Sequence, residues 1–153
     1  MPNTYTQIYI QFVFTVKYRN GVIEKHWKDQ LYKYITGTVN ALGHKLIAIN
    51  GVEDHIHILV GYKPVQSFSD LMKAVKQNSS KWINDNNFTK RKFEWQEGYG
   101  AFSYGQSQLS RIVKYIDNQE IHHKKTTFHD EYIAFLEKFE IDYSEKYIFQ
   151  ELI

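Results

Sequence analysis

The sequence predicts an α+β fold: a β-α-β-β-α-β antiparallel sheet of the ferredoxin-like, RRM-like kind, with an added C-terminal helix that bears a tyrosine. Three observations predict it. Segments 7–16, 44–50 and 54–60 alternate apolar and polar residues, the period of a strand. Segments 24–42, 67–84 and 107–122 repeat their apolar residues at helical spacing. Glycine- and asparagine-containing turns separate them.

In chain order, Ile8, Ile10, Phe12, Phe14 and Val16 form one face of the first strand. Lys17-Tyr18-Arg19-Asn20-Gly21 is a basic turn. Trp27, Leu31, Tyr34, Thr38 and Leu42 stripe the first helix, and Gly43 ends it as a C′ residue. The second strand follows, and Asn50-Gly51 signals a hairpin whose loop extends as far as Glu53. The third strand is Asp54-His55-Ile56-His57-Ile58-Leu59-Val60. His55 and His57, two apart, project to one face, while Ile56, Ile58 and Val60 point to the other. Ser67 and Ser69 are N-cap candidates for the second helix, whose core residues are Phe68, Leu71, Met72, Val75, Trp82 and Ile83. The aromatic segment 93–104 reads as core and turn, ending in a fourth strand near 99–104. The third helix, 107–122, carries Leu109, Ile112, Val113 and Ile116 on its core stripe. Gln108, Arg111, Tyr115, Gln119 and His122 lie on a polar stripe beside it. A final helix near 128–139 precedes an aromatic, acidic tail. The whole chain, 1–153, reads as one domain, with 128–153 as a helical acidic extension.

Composition narrows the classes. The absence of cysteine removes disulfides and thiolate metal sites. No basic-then-apolar leader and no membrane-length apolar run is visible. A cytoplasmic, nucleoid-associated prokaryotic protein is the expectation. Net charge is only +2, but it is uneven. Residues 73–92 hold six cations (Lys73, Lys76, Lys81, Lys90, Arg91, Lys92) against Asp85 alone, and residues 129–153 hold seven acids against two lysines. On charge alone, two solvated faces of opposite sign account for this pattern. A basic middle also fits an anionic partner.

Two helices on one face of such a sheet leave the His55/His57 face for another cover, and the third helix is the natural one. Tyr115 and Gln119 are four apart and share a helix face. With that face over the histidines, the site holds two imidazoles, an amide oxygen and a phenol. Imidazole with hard oxygen suits Mg²⁺ or Mn²⁺. Such an ion polarises a phosphodiester, and Tyr115 is the nucleophile. Each residue alone has a plainer reading: a structural His-x-His, a packing tyrosine, a helix-surface glutamine. Their joint placement reverses those odds. His122-His123 reads as no second metal site, because neighbouring helix residues diverge by about 100°.

At these residues the chain resembles the single-tyrosine HUH transposases of the IS200/IS605 type. The matching stretches are Phe12–Arg19, Asp54-His55-Ile56-His57, Lys76-Gln77-Asn78-Ser79-Ser80-Lys81-Trp82, Trp95-Gln96-Glu97-Gly98-Tyr99 and Tyr115-Ile116-Asp117-Asn118-Gln119. The resemblance implies a DNA transposase with metal ligands His55, His57 and Gln119. It implies that Tyr115 attacks single-stranded DNA to give a 5′-phosphotyrosine and a free 3′-hydroxyl, later rejoined without a nucleotide cofactor. Substrates would be ends with subterminal hairpins, and the protein a homodimer in which Tyr115 acts in cis or in trans. Lys73, Lys76, Lys81, Lys90, Arg91 and Lys92, with Tyr18 and Arg19, are the candidate DNA surface. The alternatives are a domesticated single-stranded nucleic-acid-binding module without cleavage, a replication or conjugation nickase, and a housekeeping enzyme acting on dispersed genomic palindromes. The acidic tail is assigned to dimerisation or intramolecular packing.

Overall fold

The computed structural model describes residues 4–19 and 22–144, with only the backbone of Arg19. Asn20-Gly21 of the basic turn and the tail from residue 145 onward lie outside the described residues. The elements are β1 (Tyr9–Thr15), α1 (Lys25–Ala41), β2 (Lys45–Val52), β3 (His55–Gly61), α2 (Phe68–Asp85), β4 (Gly100–Tyr104), α3 (Leu109–Asp117), α4 (Gln119–His122) and α5 (Phe128–Lys138). The four strands form one antiparallel sheet in the order β2-β3-β1-β4. That is the split β-α-β arrangement expected from the element order. Among the described residues, no helix is long and apolar enough to cross a membrane.

Strand alternation divides the molecule into two layers of packing. Ile10, Phe12 and Phe14 of β1 join Ile56, Ile58 and Val60 of β3 beneath α1 and α2, which contribute Trp27, Leu31, Ile35, Leu71 and Val75. Val13, Leu59 and Phe102 face the other way and meet Ile112 and Ile116 of α3 and Phe128, Tyr132 and Leu136 of α5. In the β1–β3 register Val13 opposes His57 and Thr15 opposes His55, so the histidines belong to this second layer. Ser67 caps α2 by accepting the Asp70 N–H at 3.0 Å, and Gly43 follows α1 with φ +96°, where a side chain is strained.

Two expectations are corrected. β2 continues through Asn50-Gly51 to Val52, and the hairpin turns at Glu53-Asp54 instead. Gly51 is needed for close approach, not for the turn: a Cβ there would lie 2.2 Å from the His55 carbonyl oxygen. Second, the helix expected over 107–122 is broken. A 3-10 turn at Gln106–Gln108 precedes α3, and Asn118 (φ −96°, ψ 18°) separates α3 from α4. The cause is visible from β2, where the Asn50 amide donates to the Asp117 carbonyl at 3.0 Å. That carbonyl is held toward β2 at the point where α3 ends, and the chain turns over the sheet.

Replacing Gly51 with alanine should force β2 and β3 apart locally. Overpacking of this kind costs about 1–3 kcal/mol. Chemical denaturation of Gly51→Ala is expected to show that loss, and stability equal to the parent would contradict the close packing.

Candidate functional site

β3 carries His55 and His57 fully buried, and each ring is held from behind by a different residue. Asp54 Oδ1 lies 2.7 Å from His55 Nδ1. The carboxylate accepts that N–H, which turns Nε2 toward the second layer. Behind His57, the Gln11 amide nitrogen lies 2.8 Å from Nδ1, and the Tyr104 hydroxyl donates to Gln11 Oε1 at 2.8 Å. Gln11 is itself fully buried on β1. The amide therefore has both ends engaged within the sheet.

In front of the rings stands Glu131 of α5. Its Oε1 lies 3.5 Å from His55 Nε2, 3.2 Å from His57 Nε2 and 3.0 Å from His123 Nε2. Its Oε2 accepts from Gln119 Nε2 at 3.2 Å and from the Tyr115 hydroxyl. Gln119 Oε1 is 3.3 Å from His55 Nε2. Tyr115 sits on α3 and Gln119 on α4, yet both side chains reach this one point across the helix break. The four side chains expected to act together (His55, His57, Tyr115 and Gln119) are thus brought together.

The electrostatics follow from burial and these contacts. At His55, burial lowers the imidazole pKa, but the Asp54 and Glu131 carboxylates outweigh it and raise it. At His57 burial wins against Glu131, and the ring is held down. His123 is pushed down to about 3 by burial, reinforced by His55, His122 and His57. Burial would raise the Glu131 carboxyl, but hydrogen bonds with His55 and His57 reverse the sign. The shifts at Glu131, His57 and His123 favour the forms that bind a cation, whereas the raised His55 favours a proton that a bound cation would displace. His55, His57, His123 and Glu131 present ligand atoms all within 4.8 Å of one another.

Glu131, His123, Gln11 and Asp54 were not among the site residues read from sequence. Glu131 left a signal: it interrupts the apolar stripe of Phe128, Tyr132, Phe135 and Leu136 on α5, where a charge needs a partner. His123 lies just past the end of α4, so the divergence expected of neighbouring helix residues does not govern it. Among the described residues it joins the first cluster, and His122 makes no separate one.

The candidate DNA residues are distributed over three places. Tyr18, Lys90, Arg91 and Lys92 surround a cavity of about 460 Å³ together with Lys17. This cavity lies past the end of β1, where the Val16 N–H donates to the Asp54 carbonyl at 2.9 Å. Arg19 follows Tyr18, but its side chain lies outside the described residues. Lys73 and Lys81 are exposed on α2, across the sheet from the histidines, and Lys81 pairs with Asp85 at 2.5 Å. Lys76 is half-buried and donates to the carbonyls of Gln96 and Gly98. Burial, opposed by Glu97, brings its ammonium down to about 8. Sequence reading did not single out Lys114 or Lys125 for the DNA surface, nor Arg111. The three line a cleft of about 480 Å³ beside Tyr115.

Asp54→Ala removes the group that orients the His55 ring. Loss of such an outer partner typically weakens metal binding by about 10–100-fold. Calorimetric titration with Mn²⁺ should show that loss with an unchanged circular dichroism spectrum. Parental affinity would mean that Asp54 does not orient a ligand.

Comparison with known proteins bears on the family and the fold. The family model for IS200-like transposases matches residues 4–119. The ISDra2 transposase TnpA of Deinococcus radiodurans is 24% identical over 118 residues, which cover 74% of this chain and 84% of that protein. A crystal structure of a transposase from Deinococcus radiodurans R1 superposes with a TM-score of 0.63 at 22% identity, covering 76% of this chain and 94% of that one. A REP-associated tyrosine transposase bound to a REP hairpin superposes with a TM-score of 0.61 at 15% identity, covering 88% and 85%. With strands, histidines and Tyr115 through Gln119 all inside the matched span, this chain belongs to the IS200-like transposase family.

Proposed function

We propose that this transposase cuts and rejoins single-stranded DNA through a covalent bond to Tyr115. The observation that carries the reading is the meeting of Tyr115, Gln119, His55 and His57 at one buried point. The Tyr115 oxygen attacks phosphorus at the cut site. The bond to the 3′ oxygen breaks, leaving a 5′-phosphotyrosine and a free 3′-hydroxyl. The phenol proton departs along its hydrogen bond to Glu131 Oε2. A 3′-hydroxyl from the same or another strand then reverses the attack and restores the phosphodiester. One bond is exchanged for another at each step, so no nucleotide cofactor is needed.

His55, His57 and the Gln119 oxygen are the residues that would hold a divalent ion, Mg²⁺ or Mn²⁺. When bound, such an ion supplies positive charge to the phosphoryl oxygens and to the phenol. The remaining work falls to the protein. Asp54 and Gln11 hold the rings in place. Arg111, Lys114 and Lys125 line the cleft by which a phosphate backbone reaches Tyr115. The cavity bordered by Tyr18 and Lys90–Lys92 offers cations and an aromatic face to a further stretch of strand. The hairpin carried by the REP-associated relative supports hairpin-bearing ends as the substrate.

The chain would act as a homodimer, as the family resemblance implies. In a single chain the Tyr115 hydroxyl already reaches its own Glu131, which supports action in cis.

The test is a covalent-adduct assay on labelled single-stranded DNA from the flanks of the gene, with Mn²⁺, resolved on a denaturing gel. The parent protein should form an adduct with the fragment that carries the new 5′ phosphate, and Tyr115→Phe and His57→Ala should form none. Tight DNA binding without any adduct would favour a binding module that has lost cleavage. Mixing the two variants resolves the geometry: a cis site stays inactive, whereas a trans site recovers adduct from the heterodimer.

A further inference from the structure

Glu131 and His123 lie beyond the span matched to the family, which ends at residue 119. They are nonetheless as central to the cluster as the two strand histidines. We infer that both are ligands of the metal ion. The ion is then held by His55, His57, His123 and Glu131, with Gln119 at their side, and this set selects Mn²⁺ over Mg²⁺. The inference rests on the reading of this point as a metal site and adds to it the two ligands from the C-terminal part of the chain.

Three observations support it. The first is spacing. Donor atoms about 2.0–2.2 Å from one ion stand roughly 3–3.5 Å from each other. Glu131 Oε1 lies 3.0, 3.2 and 3.5 Å from the Nε2 atoms of His123, His57 and His55. The second is direction. Asp54 accepts His55 Nδ1–H, so Nε2 is the ring atom turned toward the Glu131 carboxylate. At that distance a proton or a cation can lie between the two atoms, and a binding cation takes the place of the proton. His57 reaches the same state if the Gln11 amide turns over, so that its oxygen accepts Nδ1–H. The third is the other carboxylate oxygen, which accepts from Tyr115 and Gln119. One carboxylate thereby joins the metal position to the nucleophile, and Glu131 positions Tyr115 as well as binding the ion.

The donor set sets the preference. Mg²⁺ demands oxygen ligands and keeps its waters. Three imidazoles and one carboxylate suit the borderline metals of the first transition row.

Mn²⁺ and Mg²⁺ binding are measured by equilibrium titration on the full chain, without DNA, for the parent, His57→Ala, Glu131→Gln and His123→Gln. Circular dichroism reports folding. The parent is expected to bind Mn²⁺ at least about tenfold more tightly than Mg²⁺. Glu131→Gln and His123→Gln should each weaken Mn²⁺ by about tenfold or more, and His123→Gln should narrow the gap between the two metals. If Glu131→Gln does not fold, His123→Gln alone decides. If His57→Ala abolishes binding while Glu131→Gln and His123→Gln bind as the parent does, the inference fails and the metal site stands, with Glu131 the counter-ion of a protonated His55. If the parent binds no Mn²⁺, the metal reading itself fails, and the inference with it.

Discussion

Glu131 has almost no contact with water, yet six polar side chains approach its two oxygens. An ionised carboxylate taken out of water costs several kcal/mol unless it is well paired. Here the pairing comes from four segments of the second layer. β3 supplies two imidazoles, α3 a phenol, α4 an amide and an imidazole, and the following turn a fourth imidazole. α5, which brings the carboxylate, is held by Phe128, Tyr132 and Leu136 against Phe102 of β4 and Ile112 and Ile116 of α3. Removing the carboxylate would leave the remaining groups without their common partner, so packing of this layer and chemistry of the site depend on the same atom pair.

The sheet makes that convergence possible. Antiparallel pairing on both sides fixes β3 in register, and a slip of one residue would turn both histidines under α1 and α2. The close approach at Gly51 and the two-residue turn at Glu53-Asp54 hold the end of β3 where His55 begins. The same turn presents Asp54 to the His55 ring. Tight backbone packing and orientation of a functional side chain are thus one local structure. The Asn50 contact with Asp117 then bends the α3–α4 segment so that Tyr115 and Gln119 reach down from two short helices.

Much of this was legible in the residues. Period-two alternation located the strands, and its phase put Ile56 and Ile58 on one face and His55 and His57 on the other. The spacing of Tyr115 and Gln119 placed them together because both remain near enough to the break to turn inward. Other features depend on contacts distant in sequence. Asn50-Gly51 has the composition of a turn, but β3 pairs with it and keeps it a strand. Asn118 interrupts a helix because a residue 68 positions earlier holds its neighbour's carbonyl. Glu131 lies in a run that is acidic overall, and its burial follows only from the apolar stripe in which it sits. Gln11 looks like an ordinary outward strand residue until α3 and α5 cover that face.

Membership of the IS200-like transposase family gives this arrangement a context in DNA chemistry, and the second layer brings the residues of the proposed mechanism to one point. The proposed function requires a divalent ion in the space that His55, His57 and Glu131 share. The most direct measurement is anomalous diffraction at a wavelength where manganese scatters strongly, from crystals grown with Mn²⁺. A single strong peak in contact with His55 Nε2 and His57 Nε2, on the face covered by α5, is the result expected. A strong peak elsewhere, or none at saturating Mn²⁺ with the imidazoles still bonded to Glu131, would contradict it.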